Sequence, residues 1–152
     1  MRTLGVETLG VVATTPENAR RYFRYRPTPL ALAADPDLTT LHAYGLPKVV
    51  LPWRAVQSTR VNPMDELPEA LPVWEAAQAL TRLDGFNPTD TDREEQKRTW
   101  SQSAGEFLID RGGIVRWAFV EYASGDLTNI GQFPKDEEIL AATRYHPSRS
   151  DH

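Results

Sequence analysis

The 152-residue chain falls in the usual size range of a single domain, and its 40% hydrophobic and 25% charged residues are a globular mix rather than a disordered one. A net charge of −4 argues against a general nucleic-acid or acidic-membrane binder, and no apolar run approaches the ~20 residues that cross a bilayer. There is no cysteine, which excludes disulfides, thiolate zinc sites, iron–sulfur clusters and a cysteine nucleophile within these residues.

Gly5 to Thr14, GVETLGVVAT, is an apolar, β-branched run suited to a strand buried on both faces. Thr15-Pro16-Glu17 then supplies an N-cap, a proline at the first helical position and an early acid. The helix is expected to carry Ala19, Tyr22 and Phe23 inward and Arg20, Arg21 and Arg24 outward, ending at Arg26, Pro27 and Pro29. Leu30 to Ala34 reads as a second short strand, and Asp35-Pro36-Asp37 opens a helix over Leu38 to Tyr44 that Gly45 stops. Strand, helix, strand, helix is an α/β signature with a parallel pair.

Between Pro47 and Pro88 the chain holds six of its twelve prolines, which marks an insertion rather than more sheet. Within it a helix over Val73 to Leu83 is expected, with Val73, Trp74, Ala77 and Leu80 on its apolar side and Asp84-Gly85 as its stop. Thr89 and Asp92 form a capping-box pattern, and acids lead while Lys97 and Arg98 trail, so the next helix is expected to be solvent-exposed. Sheet resumes with strands over Glu106 to Asp110 and Ile114 to Tyr122, joined by a tight turn at Arg111-Gly112-Gly113. In the second strand Val115, Trp117 and Phe119 alternate against Ile114, Arg116 and Ala118. Phe133-Pro134 starts a final helix anchored by Ile139 and Leu140.

No catalytic, cofactor-binding or metal-ligating set emerges from the residues themselves. His42, His146 and His152 fit no two-ligand spacing and read as solvated or capping side chains. RRYFRYR, Arg20 to Arg26, mixes cations and aromatics as single-strand nucleic-acid binders do, yet its spacing is that of an amphipathic helix. Asp90, Asp92, Glu94 and Glu95 lack the glycine-centred loop of a calcium site. No serine lies in a G-x-S-x-G elbow, and neither a phosphate-binding loop nor a G-x-G-x-x-G occurs.

The order of these pieces nevertheless resembles a known family. GVETLGVVATTPENARRYFRYRPTPLALAADPDLTTLHAYGL, GEFLIDRGGIVRWAFVE and IGQFPKDEEILAATR are similar to successive segments of the alkyl hydroperoxide reductase/thiol-specific antioxidant family, peroxiredoxin-like proteins of the thioredoxin fold. The likeness covers residues 1–48 and about 101–146; residues 49–100 look like the longer insert of a redoxin subgroup. It implies one thioredoxin-like domain over 1–152, a thiol-dependent peroxidase or antioxidant oxidoreductase ancestry and a cytoplasmic location, with no bound cofactor.

The departures weaken that function. In the family a central strand and a helix bearing the peroxidatic cysteine precede the segment that here begins at Gly5, and no such unit stands before it. The family's arginine near the last helix falls at Gln132, so no family site residue carries over. The expected fold is therefore an incomplete thioredoxin-like α/β domain, inactive alone. Its uncovered strands either pair directly with each other or are completed by a second chain in a homodimer, unless the sequence is a truncated product. A non-catalytic interaction module using a sheet edge or the 49–100 insert, and an α/β hydrolase or binding domain with an unrecognised site, are the competing readings.

Overall fold

The computed structural model describes residues 5–50, 52–123 and 133–144. They form a mixed α/β structure of small sheets and six helices. The first unit is β1 (Leu9–Val12), α1 (Pro16–Tyr22) and β2 (Ala31–Ala34), with β1 and β2 parallel and paired Leu9 to Ala31 through Val12 to Ala34. Small residues let this pair close up: a Cβ added at Gly10 would stand 2.9 Å from Leu32 Cδ2. The strand is shorter than the sequence suggests, and it is not buried on both faces. Leu9 is 61% exposed, and the outer edge of β1 carries no strand among the described residues.

Thr15 caps α1 as expected, its hydroxyl accepting the Asn18 amide at 3.2 Å, and Ala19 is the residue the helix buries. Next comes α2 (Thr39–Ala43), capped in an indirect way. Its N-cap residue, Leu38, sits in the left-handed region at φ 59° and offers no side-chain acceptor. The buried Asp35 carboxylate reaches over instead and accepts the amides of Thr39 (2.9 Å), Thr40 (2.8 Å) and Leu41 (3.3 Å).

The middle of the chain contains α3 (Trp53–Ser58), β3 (Arg60–Val61), a short 3₁₀ turn at Pro63–Asp65, β4 (Leu71–Pro72), α4 (Val73–Leu83) and α5 (Asp90–Thr99). β3 and β4 are antiparallel, and α4 packs back on both. This region holds an apolar cluster of its own: Val61, Leu67 and Ala76 are buried, with Leu71, Val73 and Leu80 against them. The Asn62 amide seals the loop by exchanging hydrogen bonds with the main chain of Leu67 at 2.8 and 2.9 Å. The buried stripe of α4 is Val73, Ala76 and Leu80, spaced by three and four residues. Trp74 lies about 100° round from Val73 and is half-exposed, which corrects its placement on the apolar side.

β5 (Gly105–Ile109) and β6 (Val115–Val120) form the expected antiparallel hairpin, with a register irregularity at Leu108/Ile109. Its turn is organised by Asp110, whose Oδ1 accepts the amides of Gly112 (2.8 Å) and Ile114 (3.0 Å) while Oδ2 meets Arg116 at 2.7 Å. Those bonds hold the Asp110 carboxyl below its ordinary range, the backbone amide of Ile114 contributing most. Gly113 takes φ 79°, which the turn requires. Trp117 and Phe119 are half-buried, whereas Val115 is exposed beyond the register irregularity. α6 (Asp136–Arg144) closes the described chain, with Ile139 and Leu140 half-buried.

The ladders are β1–β2, β3–β4 and β5–β6. Direct pairing of β1 with β5, one of the two expected ways of compensating for a missing central strand, is therefore not made among the described residues. The hairpin is tethered differently. Val49 N–H donates to Ser101 O at 2.8 Å, the buried Ser103 donates to Pro47 O at 2.8 Å, and Tyr44 packs on Phe107 with ring centroids 4.8 Å apart.

Candidate functional site

Polar and aromatic side chains concentrate on a seam between α1 and the stretch from Asp84 to α5. α1 presents Arg21 and Tyr22 one after the other, and the facing stretch presents Asp84, Phe86, Thr89, Asp92 and Glu95. Arg21 is ion-paired with Asp92 and stands 5.3 Å over the Phe86 ring. Thr14, just past β1, donates its hydroxyl to Glu95. Tyr22 donates to Asp84 at 3.3 Å, and Arg26 bridges Asp84 at 3.3 Å and Glu66. Tyr22 and Phe86 meet edge to face, centroids 5.2 Å apart.

The charges of this seam are tuned by those contacts. Burial opposes ionisation of Asp92, but the Arg21 guanidinium and the Thr89 amide and hydroxyl outweigh it and hold the carboxyl below its ordinary value. Burial and the neighbouring Asp84 raise the Tyr22 phenol above its usual range. Arg26 is held more firmly protonated by Glu66.

A cleft of about 250 Å³ opens within the seam at the carboxyl end of β1, lined by Thr14, Asn18 and Asp92 together with apolar and aromatic walls from Val12, Tyr22 and Phe86. The Asn18 Nδ2 is buried and has no hydrogen-bond partner among the described residues. A second groove of about 220 Å³ lies between Trp74 and Trp100, whose rings are 6.0 Å apart, with Arg93 and Lys97 on its rim. Both rim cations are engaged by acids of their own helix, Asp90 and Glu94.

No family model matches the chain, and neither the curated proteins nor the solved structures yield a match.

The residues singled out by sequence distribute unevenly over this geometry. His42 is exposed on α2, while His146, His152 and Gln132 lie outside the described residues. Among the described residues no group of three His, Asp or Glu side chains is placed to hold a metal ion. The acids at 90–95 are not a uniformly solvated face: Asp90 and Glu94 are exposed and make local pairs, whereas Asp92 and Glu95 reach α1 and Thr14. Arg20 and Arg24 point outward as expected, but Arg21 is half-buried against Phe86 and Asp92. The arginine–aromatic run thus serves as an internal seam. Sequence reasoning missed Asn18 and Phe86 altogether. Phe86 lies in a polar turn with no periodicity around it, and an asparagine in the first turn of a helix is ordinary, so neither carried a signal.

Proposed function

We propose that this chain is a redoxin-family domain of thioredoxin-like type, without peroxidase chemistry of its own, that works by adding a β-strand from a second copy of itself. The observation that carries this reading is the edge of β1 that pairs with no strand among the described residues. Asp35 N–H donates to Val12 O on the β2 side at 2.8 Å, so alternation turns the main-chain groups of Leu9 and Val11 toward the other edge. That edge reads Leu-Gly-Val-Val, with none of the lysines or prolines that guard exposed strands against pairing, and Leu9 stands exposed beside it. A two-fold pairing of β1 with β1 satisfies both edges at once and covers Leu9 of each chain. The family resemblance supports a scaffold built on strand pairing, and the lack of a thiolate nucleophile in these residues supports assembly over thiol chemistry. The acidic net charge supports a protein partner over nucleic acid, and the family resemblance supports a cytoplasmic place.

Light scattering tests the reading. The wild-type chain is expected at twice its monomer mass, and Leu9→Lys, a substitution at an exposed side chain, is expected to give a monomer with an unchanged circular dichroism spectrum. A wild-type monomer at every concentration measured removes the reading. Peroxide consumption above buffer in the presence of thiol donors removes its non-catalytic part.

A further inference from the structure

The groove between Trp74 and Trp100 offers a binding surface of its own, independent of whether the chain dimerises. Arg93, Gln96, Lys97 and Trp100 follow at the spacing i, i+3, i+4, i+7, so they form one stripe along α5 and its C-cap, and Trp74 of α4 meets that stripe. The side chains of α5 that lie off the stripe are engaged elsewhere: Asp92 pairs with Arg21, and Glu95 accepts the Thr14 hydroxyl. The two indoles stand edge to face with 65° between their planes, yet they remain 51% and 38% exposed. Two large aromatic side chains left open side by side form a wall against which a flat ring stacks or sets its edge.

The rim decides the charge that such a ring carries. The charged groups lining the groove are both cations, Arg93 and Lys97, one turn apart on the stripe, and their acidic partners Asp90 and Glu94 do not line it. Those partners are weak competitors. The Asp90 side chain is 99% exposed, and both members of the Lys97–Glu94 pair are more than 70% exposed, where an ion pair contributes little. Each pair also takes a single donor, out of the five of a guanidinium and the three of an ammonium. Donors therefore remain for an anion, whereas a cationic ligand would meet like charge. A volume of about 220 Å³ lies below the ~300–1,000 Å³ typical of drug-sized pockets, so the occupant is the size of a fragment.

We infer that this groove binds a small aromatic carboxylate, its ring against Trp74 and Trp100 and its carboxylate on Arg93 and Lys97. Three probes separate the parts of the inference: 2-naphthoate, 2-naphthamide with the same ring and no charge, and decahydro-2-naphthoate with the same charge and no aromatic face. NMR titrations of the full chain follow the indole N–H signals of its four tryptophans. 2-Naphthoate is expected to move the signals of Trp74 and Trp100 saturably and to leave those of Trp53 and Trp117 in place. It is expected to bind about fivefold tighter than either other probe, the scale of an exposed charge pair or of one aromatic contact. Raising the salt from about 20 to about 500 mM is expected to close the gap to the amide but not the gap to the decahydro acid. Arg93→Gln combined with Lys97→Gln is expected to bring acid and amide together at low salt. Should that variant fail to fold, the salt dependence and the indole signals of the wild-type chain decide the matter alone. Equal affinities for acid and amide, a gap that persists in salt or in the folded double variant, a tie with the decahydro acid, or no saturable shift at Trp74 and Trp100 would overturn the inference.

Discussion

The stretch from α3 to α4 and the two flanking ladders solve the same problem with different success. In the first, two strands of only two residues each are enough, because α4 folds back over both and Val61, Leu67 and Ala76 meet in one buried cluster. In the second, β1–β2 and β5–β6 are longer ladders, yet Leu9, Leu32, Ile109 and Val115 all remain more than a third exposed. A two-stranded ladder is marginal by itself in water; it needs a third strand or a helix laid across its face. The insert has that helix. The ladders, which carry the family resemblance, have it only in part, and they are the segment of the molecule most open to completion from outside.

Identical truncations in the two regions would sharpen this contrast most. Leu67→Ala removes a side chain that is 6% exposed and is expected to cost about 3 kcal/mol, or roughly 6–12 °C in Tm, by thermal unfolding. Leu32→Ala, at a position 37% exposed, is expected to cost less than about 1 kcal/mol at low protein concentration. Equal losses would mean that the ladders are as well covered as the insert. A Leu32→Ala penalty that grows with concentration would point to a partner covering β2.

Gly105→Ala probes a place where the hairpin is tightly docked. A Cβ there would stand 2.5 Å from Leu46 Cδ2 and 3.1 Å from Phe119 O, and the second of these is backbone that cannot swing away. The expected cost is about 1–3 kcal/mol, seen in the denaturant midpoint, with early loss of hydrogen-exchange protection across β5. A neutral effect would show that the hairpin rides loosely on Leu46.

The smallest effect is expected at Glu106. Burial on β5 and, to a lesser extent, the charge of Asp136 raise its carboxyl above the ordinary 4.5. A raised acid binds its proton more tightly folded than unfolded, so stability falls as pH rises from 4.5 through the folded value. Glu106→Gln is therefore expected to raise Tm slightly at pH 7, and the difference is expected to close as pH drops below 4.5, followed by thermal scans across pH. A variant less stable than wild type at pH 7 would reveal a partner for the ionised carboxylate.

Much of the local structure was legible because its causes are local. Thr15-Pro16 and the Thr89/Asp92 capping box start their helices where read, Val73 to Leu83 is helical over its full expected span, and Arg111-Gly112-Gly113 turns the hairpin. Other features escaped because they depend on partners far along the chain. Asp35 stands where a direct N-cap was expected and caps α2 from a distance instead, with Leu38 taking the strained position. Trp74 is apolar and sits at a plausible position in its helix, but the helix turned Ala76 inward and left the indole to Trp100. The cleft was invisible for the same reason: its two sides, Asn18 and Phe86, are brought together by long-range contacts such as the Arg21–Asp92 pair, whose members are 71 residues apart, and the Tyr22–Phe86 ring contact.

By itself the sequence determined that this is a cysteine-free, mildly acidic α/β chain with capped helices, a parallel pair and a hairpin, since caps, turns and hydrophobic periodicity act within a few residues. The tertiary structure alone decided that the stretch from α3 to α4, not the flanking ladders, holds the buried apolar cluster, and that β1 has an edge unpaired among the described residues. Burial is a property of what lies across from a side chain. An apolar strand states only that it needs cover, and the fold decides which strands receive it.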